Sequence, residues 1–258
     1  MRINNNSLDD VFSNSALQTL QVEDIGQEIE NALGISVDNI QSSEVVLVTL
    51  LIDDSRSISS AGNEQHIRDG YNLVLESLRA SQSSDDVLLH VRYLNGSILY
   101  PYCLLDNADE MDENNYSAYG STPLYDQTMI MLATVAAKVA EFADAGVPAR
   151  SISLIITDGA DYGSVEHRAS DVSGVMGEFL AQEMNIVAAM GVSDGHTDFR
   201  RVFADMGVPD NWILTTDNTA SELRSAFQVF SQSAISVSQS ADIQAIGGFG
   251  QARRLELD

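Results

Sequence analysis

Cysteine, basic residues and long apolar runs are all scarce in this chain of 258 residues. The single cysteine, Cys103, has no second cysteine to pair with in the chain, so a reducing compartment is expected, and the cytoplasm is the expected location. The longest apolar run, VVLVTLLI at Val45 to Ile52, is too short to cross a bilayer. The opening residues MRINNNSLDDVF lack the apolar stretch of a secretory signal, and we therefore expect a protein that is not exported.

Positive charge is especially rare. Lys and Arg total 13 against 38 Asp and Glu, which gives a net charge of −25, and Lys138 is the single lysine. A field of this sign repels nucleic acid phosphates and anionic membrane surfaces, so we expect neither nucleic acid nor a membrane as a partner. The acids are spread along the chain, which favours a solvated surface over an acidic docking face or a cation sink.

The sequence pattern divides the chain into three parts. Residues 1–43 are polar with sparse apolar positions, which predicts an extension of one or two amphipathic helices that end near Gly34. Residues 44–237 alternate regularly between strand and helix patterns, and we expect them to form one domain. Residues 238–258 contain several glycines and finish with RRLELD, and we expect a flexible tail there.

The middle part of the chain predicts an α/β fold. The run EVVLVTLLID predicts a central strand covered on both faces, and SISLIITDG, NIVAAMGV and NWILTTD predict further strands. Asn95-Gly96 between two apolar runs predicts a hairpin. The pattern as a whole predicts a doubly wound, Rossmann-like, mostly parallel sheet with one antiparallel edge strand and helices on both faces. Helical spacing occurs at about residues 63–80, 123–143, 170–183, 198–206 and 221–233.

Oxygen-bearing side chains follow the first predicted strand, in the stretch LLIDDSRSISS. In an extended strand end, Asp53, Ser55 and Ser57 project to one side, because successive side chains alternate. One carboxylate and two hydroxyls are hard oxygen donors that suit Mg²⁺, Mn²⁺ or Ca²⁺. The other register, which contains Asp54, offers no coherent ligand set, so Asp54 is expected to be a bystander. Ser59, which lies beyond the D-x-S-x-S motif, is also expected to be one.

Two later segments are expected to reach the same edge of the sheet, where ligands bind in doubly wound folds. Thr122 in YGSTPLYD stands where a loop enters a predicted helix, and Asp158 in LIITDG ends a neighbouring predicted strand. A polar turn alone does not gather oxygen donors from three segments. The sequence therefore predicts a divalent cation site that consists of Asp53, Ser55, Ser57, Thr122 and Asp158.

The D-x-S-x-S motif, the Thr of STPL and the Asp of TDG resemble the metal-ion-dependent adhesion site of the von Willebrand factor type A (vWA) family. The resemblance covers the middle part of the chain and implies a stand-alone, intracellular vWA domain. It implies that Ser55 and Ser57 ligate the cation directly through their hydroxyls. It also implies that Thr122 ligates the cation directly or through water, and that Asp53 and Asp158 act mainly through water.

The same resemblance implies a function. One position on the cation would stay open for an Asp or Glu carboxylate of a partner protein, and its capture would be coupled to a shift of the Thr122 loop and of the last predicted helix. This implies metal-dependent docking of a partner, without catalysis. Family members usually carry glycine where this chain has Arg56, so a cationic side chain is expected beside the site.

Enzymatic interpretations have weaker support in the sequence. GVSDG at Gly191 to Gly195 matches the G-x-S-x-G of a nucleophile elbow, but the one later histidine, His196, is too close to serve as its base. A phosphatase of the haloacid dehalogenase type needs D-x-D, and this chain has Ser55 at the second position. A hydrolase or phosphatase that uses the same predicted cation stays open as an alternative, although no general base is evident beside the predicted ligands.

A structural, self-assembling subunit is a third alternative. Residues 1–43 or 238–258 could mediate contacts between copies, and the sequence leaves the oligomeric state open. In RRLELD, Glu256 or Asp258 could occupy the cation site of a neighbouring copy.

Overall fold

The computed structural model describes residues 8–40, 42–82, 86–240 and 246–249. In this part of the chain, the strands β1 to β6 form one sheet with the order β3-β2-β1-β4-β5-β6. β3 pairs antiparallel with β2, and every other neighbouring pair is parallel. The strands are β1 (Val45–Ile52), β2 (Val87–Tyr93), β3 (Ile98–Leu104), β4 (Ala149–Thr157), β5 (Asn185–Val192) and β6 (Ile213–Thr216).

Helices alternate with these strands along the chain. The helix α8 packs against α4, and α5 packs against α2 and α6, while α5 and α8 both contact β1 and β4. The arrangement confirms the predicted doubly wound, mostly parallel α/β sheet with one antiparallel edge strand. The helices of the described residues are α1 (Asn14–Leu20), α2 (Val22–Leu33), α3 (Arg56–Ser60), α4 (Glu64–Arg79), α5 (Leu124–Asp144), α6 (Ala169–Leu180), α7 (Phe199–Asp205) and α8 (Ala220–Gln239).

The central strand β1 is buried along its whole length, as the unbroken apolar run predicts. Its one polar residue, Thr49, shares a hydrogen bond of 2.6 Å with the hydroxyl of Tyr102, so no buried hydroxyl is left unpaired there. Truncation of a fully buried leucine such as Leu50 to alanine would cost about 2–5 kcal/mol of unfolding free energy. A strand held this firmly fixes the position of the residues that follow it.

The predicted hairpin joins β2 to β3. Tyr93 N donates to Ser97 O at 2.8 Å, and Gly96 has a φ of 90°, a left-handed conformation that glycine adopts without strain. Leu94 N also donates to Ile52 O at 3.0 Å. The turn of the hairpin therefore lies beside the end of β1.

The N-terminal helices α1 and α2 pack on the same core, with Leu20 and Ile29 fully buried. The chain leaves α2 at Gly34, where the sequence predicts a helix end, with a φ of 61°. A Cβ at Gly34 would lie 2.1 Å from the carbonyl oxygen of Tyr102, so only glycine allows the chain to pass this close to β3. Ile35 N donates to that same oxygen at 2.8 Å. The division of the chain at residue 43 stays a prediction.

The last helix is longer than the sequence pattern indicates. It continues to Gln239, beyond the predicted end near residue 233, because Ala234 and Val237 keep the helical spacing and are buried. Farther along, Phe249 is buried and its ring lies edge-on to Trp212, with the centroids 5.2 Å apart. The predicted flexible tail, including RRLELD, lies mostly outside the described residues. Among the described helices, none has the length and apolar character needed to span a bilayer.

Candidate metal centre

Three chain segments meet at the carboxyl ends of β1 and β4. Asp53 follows β1 and Asp158 follows β4, and the two strands are in parallel register at this end, with Asp53 N donating to Ile156 O at 3.0 Å. Segment 120–122 lies between the other two segments. Its Gly120 O accepts from Arg56 N at 3.1 Å. The structure thus brings the three predicted segments together.

Segment 120–122 also forms backbone hydrogen bonds with the loop that follows β4. Thr122 N donates to Tyr162 O at 3.0 Å, and Tyr162 N donates to Thr122 O at 2.8 Å. Thr122 itself is buried.

The hydroxyls of Ser55 and Ser57 and the carboxylate of Asp158 form a chain of hydrogen bonds. Ser55 Oγ lies 2.8 Å from Ser57 Oγ, and Ser57 Oγ donates to Asp158 Oδ1 at 2.5 Å. Three of the five predicted ligands are thus in direct contact.

The sequence pattern predicts this contact from the alternation of side chains along a strand, and that explanation is wrong. β1 ends at Ile52, and the short helix α3 begins at Arg56, so Asp53, Ser55 and Ser57 do not alternate along an extended strand. Ser55 directly precedes α3, and the first turn of that helix carries Ser57 against Asp158. A helical turn, and not strand alternation, places the two hydroxyls side by side.

Asp53 lies behind the two serines and organises the loop. It is fully buried; Oδ1 accepts from Ser55 N at 2.7 Å, and Oδ2 accepts from the hydroxyl of Thr157 at 2.6 Å. Burial raises the pKa of Asp53, and the hydrogen bonds from Ser55 and Thr157 oppose that rise. Its carboxylate therefore holds the ends of β1 and β4 together.

Burial also raises the pKa of Asp158 to about 6, a rise opposed by the hydrogen bond from Ser57 and reinforced by the charges of Asp53 and Asp194. Because the folded state binds this proton more tightly than the unfolded state, the stability that Asp158 contributes in the cation-free protein is lost as the pH rises through that value. A nearby cation would remove this penalty by favouring the ionised form.

Asp54 was expected to be a bystander to the cation, and it is engaged in another contact. Its Oδ1 accepts from Asn95 N at 3.0 Å, which ties the hairpin turn to the end of β1. Burial raises the pKa of Asp54 to about 6. The hydrogen bond from Asn95 opposes this rise, and the charge of Asp53 adds to it. Ser59 is exposed on α3.

Three buried carboxylates at this edge have no cationic partner among the described residues. None of the ion pairs found there involves Asp53, Asp54 or Asp158, and the exposed Arg56 forms no ion pair either. Uncompensated buried charge is costly, so its presence points to a ligand of opposite sign.

The donor set fits a small hard cation. Two ligands in adjacent octahedral positions around Mg²⁺, each about 2.1 Å from the ion, lie about 3 Å apart. The 2.8 Å between Ser55 Oγ and Ser57 Oγ agrees with that spacing. Within the described residues, no three His, Cys, Asp or Glu side chains gather into a metal-binding group, so the candidate set depends on hydroxyls as well as on carboxylates.

Sequence reasoning missed two residues that support the loop. Thr157 donates to Asp53 Oδ2, and its hydroxyl also accepts from Gly159 N at 3.1 Å. Tyr116 donates its hydroxyl to Asp53 O at 2.6 Å. The position of Thr157 next to Asp158 at a strand end was a usable signal, whereas Tyr116 lies in a long loop whose path the sequence does not predict.

The G-x-S-x-G stretch after β5 forms a polar turn. Ser193 Oγ accepts from Gly195 N at 3.3 Å, and Asp194 Oδ1 accepts from His196 N and Thr197 N at 2.8 and 2.7 Å. These bonds account for the serine and aspartate as turn residues.

No protein-family model and no curated protein matches this chain. Solved structures do resemble it. The SpaC pilus adhesin from Lactobacillus rhamnosus GG matches with a TM-score of 0.56 and 15% identity, over 76% of this chain and 30% of that one. A von Willebrand factor type A protein from Catenulispora acidiphila matches with a TM-score of 0.50 and 14% identity, over 75% of this chain and 43% of that one.

The SpRpn10 VWA domain matches with a TM-score of 0.50 and 9% identity, over 72% of this chain and 95% of that domain. This chain therefore spans less than half of the pilus adhesin and of the Catenulispora protein. At identities this low, the structural similarity establishes a shared fold. The chain has the Rossmann-like, mostly parallel fold of vWA domains.

Proposed function

We propose that this protein docks a partner protein through a divalent cation, Mg²⁺ or alternatively Mn²⁺ or Ca²⁺, and that it does so without catalysing a reaction. The cation would be held by Asp53, Ser55, Ser57, Thr122 and Asp158. The observation that carries the proposal is the cluster of buried carboxylates without a cationic partner, beside two hydroxyls 2.8 Å apart. Such a cluster is complete only when a cation joins it.

The residues divide the work between shaping the site and binding the cation. Both oxygens of Asp53 are engaged by the loop, which keeps Ser55 and Thr157 in place. The hydroxyls of Ser55 and Ser57 are neutral donors, so they leave the positive charge of a bound ion largely unneutralised. A bound divalent cation supplies an open coordination position for the carboxylate of a partner.

Arg56 has a part in this proposal. It is exposed, and it stands between Ser55 and Ser57 in the sequence, at the start of α3. Arg56 has no ion-pair partner in the part of the chain that the structure describes. In a chain with a net charge of −25, its guanidinium attracts a carboxylate locally while the distant field repels it. Arg56 would therefore help to orient the incoming acid.

The comparisons support a binding role in one respect, since the SpaC protein is a pilus adhesin. The single cysteine supports a reducing compartment, and we propose the cytoplasm as the location. An intracellular vWA-type domain is the setting that agrees with both the fold and the composition.

Thermal unfolding with and without cation tests the proposal. With Mg²⁺ or Mn²⁺ at about 100 times its Kd, the free energy of unfolding should rise by about 2.7 kcal/mol, because the cation binds only the folded state. Ser57→Ala should lose this gain. Ser59→Ala is the matched control, because Ser59 lies on the same helix α3 and is exposed like Ser57, but it is outside the site.

The unfolding midpoint in chelator separates loss of the site from loss of the fold. Ser57→Ala removes one hydrogen bond to Asp158, so in chelator it should remain within about 1 kcal/mol of the wild type. A wild-type protein that gains no stability from millimolar Mg²⁺ or Mn²⁺ would refute the cation site. An equal gain in Ser57→Ala and the wild type would refute the assignment of Ser57 as a ligand.

A further inference from the structure

Large apolar side chains that face solvent are concentrated at one place on the surface. The described residues include four of them: Tyr119 is 69% exposed, Tyr162 80%, Val165 84% and Met184 37%. The three most exposed lie in the loops that border the candidate metal centre. A cluster of exposed apolar groups on a surface otherwise rich in acids marks a place that a partner covers.

The backbone at these three residues is held by hydrogen bonds to the site segments. Tyr162 exchanges two backbone hydrogen bonds with Thr122, and Val165 N donates to Asp126 Oδ2 at 2.8 Å. Tyr119 is followed by Gly120, whose N donates to Asp54 O at 3.1 Å. The side chains are therefore held in solvent by an ordered backbone, which lowers the entropy cost of covering them.

A groove of about 310 Å³ continues from Tyr119 toward the hairpin. Asp54, Asn95, Asn115 and Ser117 line it together with Tyr119. Its walls thus offer amide and hydroxyl groups for the backbone of a bound segment, and Asp54, which lies in the chain between Asp53 and Ser55 of the candidate site, is part of the lining. Space for a peptide chain therefore exists next to the cation site.

Acidic residues border the same exposed groups. Asp161 precedes Tyr162, and the exposed Glu166 follows Val165. A segment that fits this surface needs one carboxylate for the cation, apolar neighbours for the exposed rings and a positive charge for the surrounding acids.

The chain contains a segment with all three properties. In RRLELD, Glu256 stands between Leu255 and Leu257, and Arg253 and Arg254 precede them. The leucines match the apolar groups, the glutamate matches the open position on the cation, and the arginines match the acidic border. Basic residues are rare in this chain, 13 in total, and two of them stand side by side in this segment.

We propose that segment 253–258 of one copy docks on a second copy, with Glu256 at the cation and the two leucines against an apolar rim made by Tyr119, Tyr162 and Val165. This inference rests on the proposed cation-dependent docking and names its partner as the same chain. The contact joins different surfaces of the two copies, so it extends head to tail into rings or open chains.

A second copy is the occupant because of where the preceding chain is anchored. Phe249 packs on Trp212, which directly precedes β6, whereas the rim lies at the carboxyl ends of the strands. The seven residues from Phe249 to Glu256 span at most about 25 Å when fully extended. Binding to the rim of the same copy would use much of that length to pass along β6 and across β5, whereas a neighbouring copy can approach the segment directly.

A complementation experiment on the full chain tests the proposal. The rim variant combines Tyr162→Ser with Val165→Ser, and the tail variant combines Leu255→Ser with Leu257→Ser. In Mg²⁺, sedimentation velocity should show the wild type as dimers that exchange tails or as larger species, and chelator should return it to monomers. Each variant alone should bind itself at least about tenfold more weakly, since it loses two apolar contacts.

The equimolar mixture of the two variants distinguishes contact between copies from contact within one copy. The intact tail of the rim variant and the intact rim of the tail variant form one contact, so the mixture should assemble and stop at a dimer. Met184→Ser, which removes an exposed apolar group that is not part of the rim, should associate as the wild type does. A wild type that stays monomeric in Mg²⁺, a mixture that stays monomeric, or variants that associate as well as the wild type would overturn the inference.

The Mg²⁺-dependent gain in thermal stability shows which proposal has failed if association is absent. Both variants keep all five proposed ligands, so both should keep that gain. Its presence without association leaves the cation site in place and refutes the tail as its partner. Its absence from the wild type refutes the cation site, and with it the docking of the tail.

Discussion

Two regions of this molecule bury charge, and they do so differently. At the N-terminal contact, defined here by Ile35, Arg92 and Lys138, each buried cation has partners from the chain. Lys138 Nζ donates to Ile35 O at 2.5 Å and to Glu141 Oε2 at 2.8 Å. Arg92 donates to Glu28 at 3.1 Å and to Gln127 at 2.8 Å. At the candidate metal centre, Asp53 and Asp158 have hydrogen bonds but no cationic partner among the described residues.

The difference separates an ion pair that the chain completes itself from the candidate ligand site. Burial lowers the pKa of Lys138, and Glu141 opposes this shift, so the pair supplies its own compensation. At the metal centre, burial raises the pKa of Asp53 and Asp158, and Asp53 raises that of Asp158 further. In the first region, the Lys138–Glu141 pair is compensated within the chain, whereas Asp53 and Asp158 have no cationic partner among the described residues.

The largest expected effect comes from breaking the Lys138–Glu141 pair. Lys138→Met keeps most of the side-chain volume but leaves the carboxylate of Glu141 and the carbonyl of Ile35 without their donor. We expect a loss of about 3–5 kcal/mol in the free energy of unfolding, measured by urea denaturation, because a buried charge is left unpaired.

The matched change at the metal centre should have the opposite character. Asp158→Asn keeps an oxygen that accepts from Ser57 but removes a buried charge. In chelator at neutral pH, we expect no loss of stability or a small gain, and in Mg²⁺ we expect the gain from the cation to disappear. A loss in chelator as large as that of Lys138→Met would contradict the distinction between the two regions.

The second-largest expected effect is a loss of unfolding free energy in acid, caused by His90 near the N-terminal contact. His90 on β2 is fully buried, and burial together with the charge of Arg92 lowers its pKa to about 3. Because the unfolded state takes up this proton first, the stability that neutral His90 contributes is present above pH 6.5 and is lost as the pH falls toward 3. Between pH 7 and pH 5, this amounts to about 2 kcal/mol.

His90→Gln isolates the contribution of this one group. The difference in unfolding free energy between the wild type and the variant should shrink by that amount from pH 7 to pH 5, since glutamine does not titrate. Urea denaturation at several pH values measures it. A difference that stays constant over this range would show that His90 is not a buried neutral group.

The smallest expected effect concerns the field of the whole molecule. A peptide with net negative charge and one aspartate for the cation should associate faster as salt increases, because salt screens the repulsion from a chain with a net charge of −25. We expect a several-fold rise between about 0.02 and 0.2 M salt in stopped-flow measurements with Mg²⁺. A falling rate would mean that positive charge around Arg56 dominates the approach. The N-acetylated amide of RRLELD, whose two arginines balance its two carboxylates, serves as the control and should change little.

Much of the fold could be predicted because it follows from local patterns. The unbroken apolar run of β1 predicts a strand that is buried on both faces, and Asn95-Gly96 predicts the hairpin; both are observed. The predicted ligands Ser55, Ser57 and Asp158 do meet, because parallel strands bring their carboxyl ends to one edge. That they bind a cation stays a prediction.

The remaining features depend on contacts between distant parts of the chain. The helical turn at Ser57 is not evident from a D-x-S-x-S pattern, which fits an extended strand equally well. The role of Lys138 depends on the passage of Ile35 beside α5, which the sequence pattern of the N-terminal part does not reveal. The exposure of Tyr162 could not be predicted either, because aromatic residues are buried more often than they are exposed.

Because Gly70 has no side chain, α4 and α8 pack closely at this position. A Cβ at Gly70 would lie 2.0 Å from the ring of Phe227, so the ring occupies a notch that any other residue would fill. One turn away on either side, α4 presents Ile67 and Val74, whose branched side chains leave no such notch. The ring of Phe227 therefore fixes one position of α8 along α4, because a shift by one helical turn would bring the ring against a branched side chain.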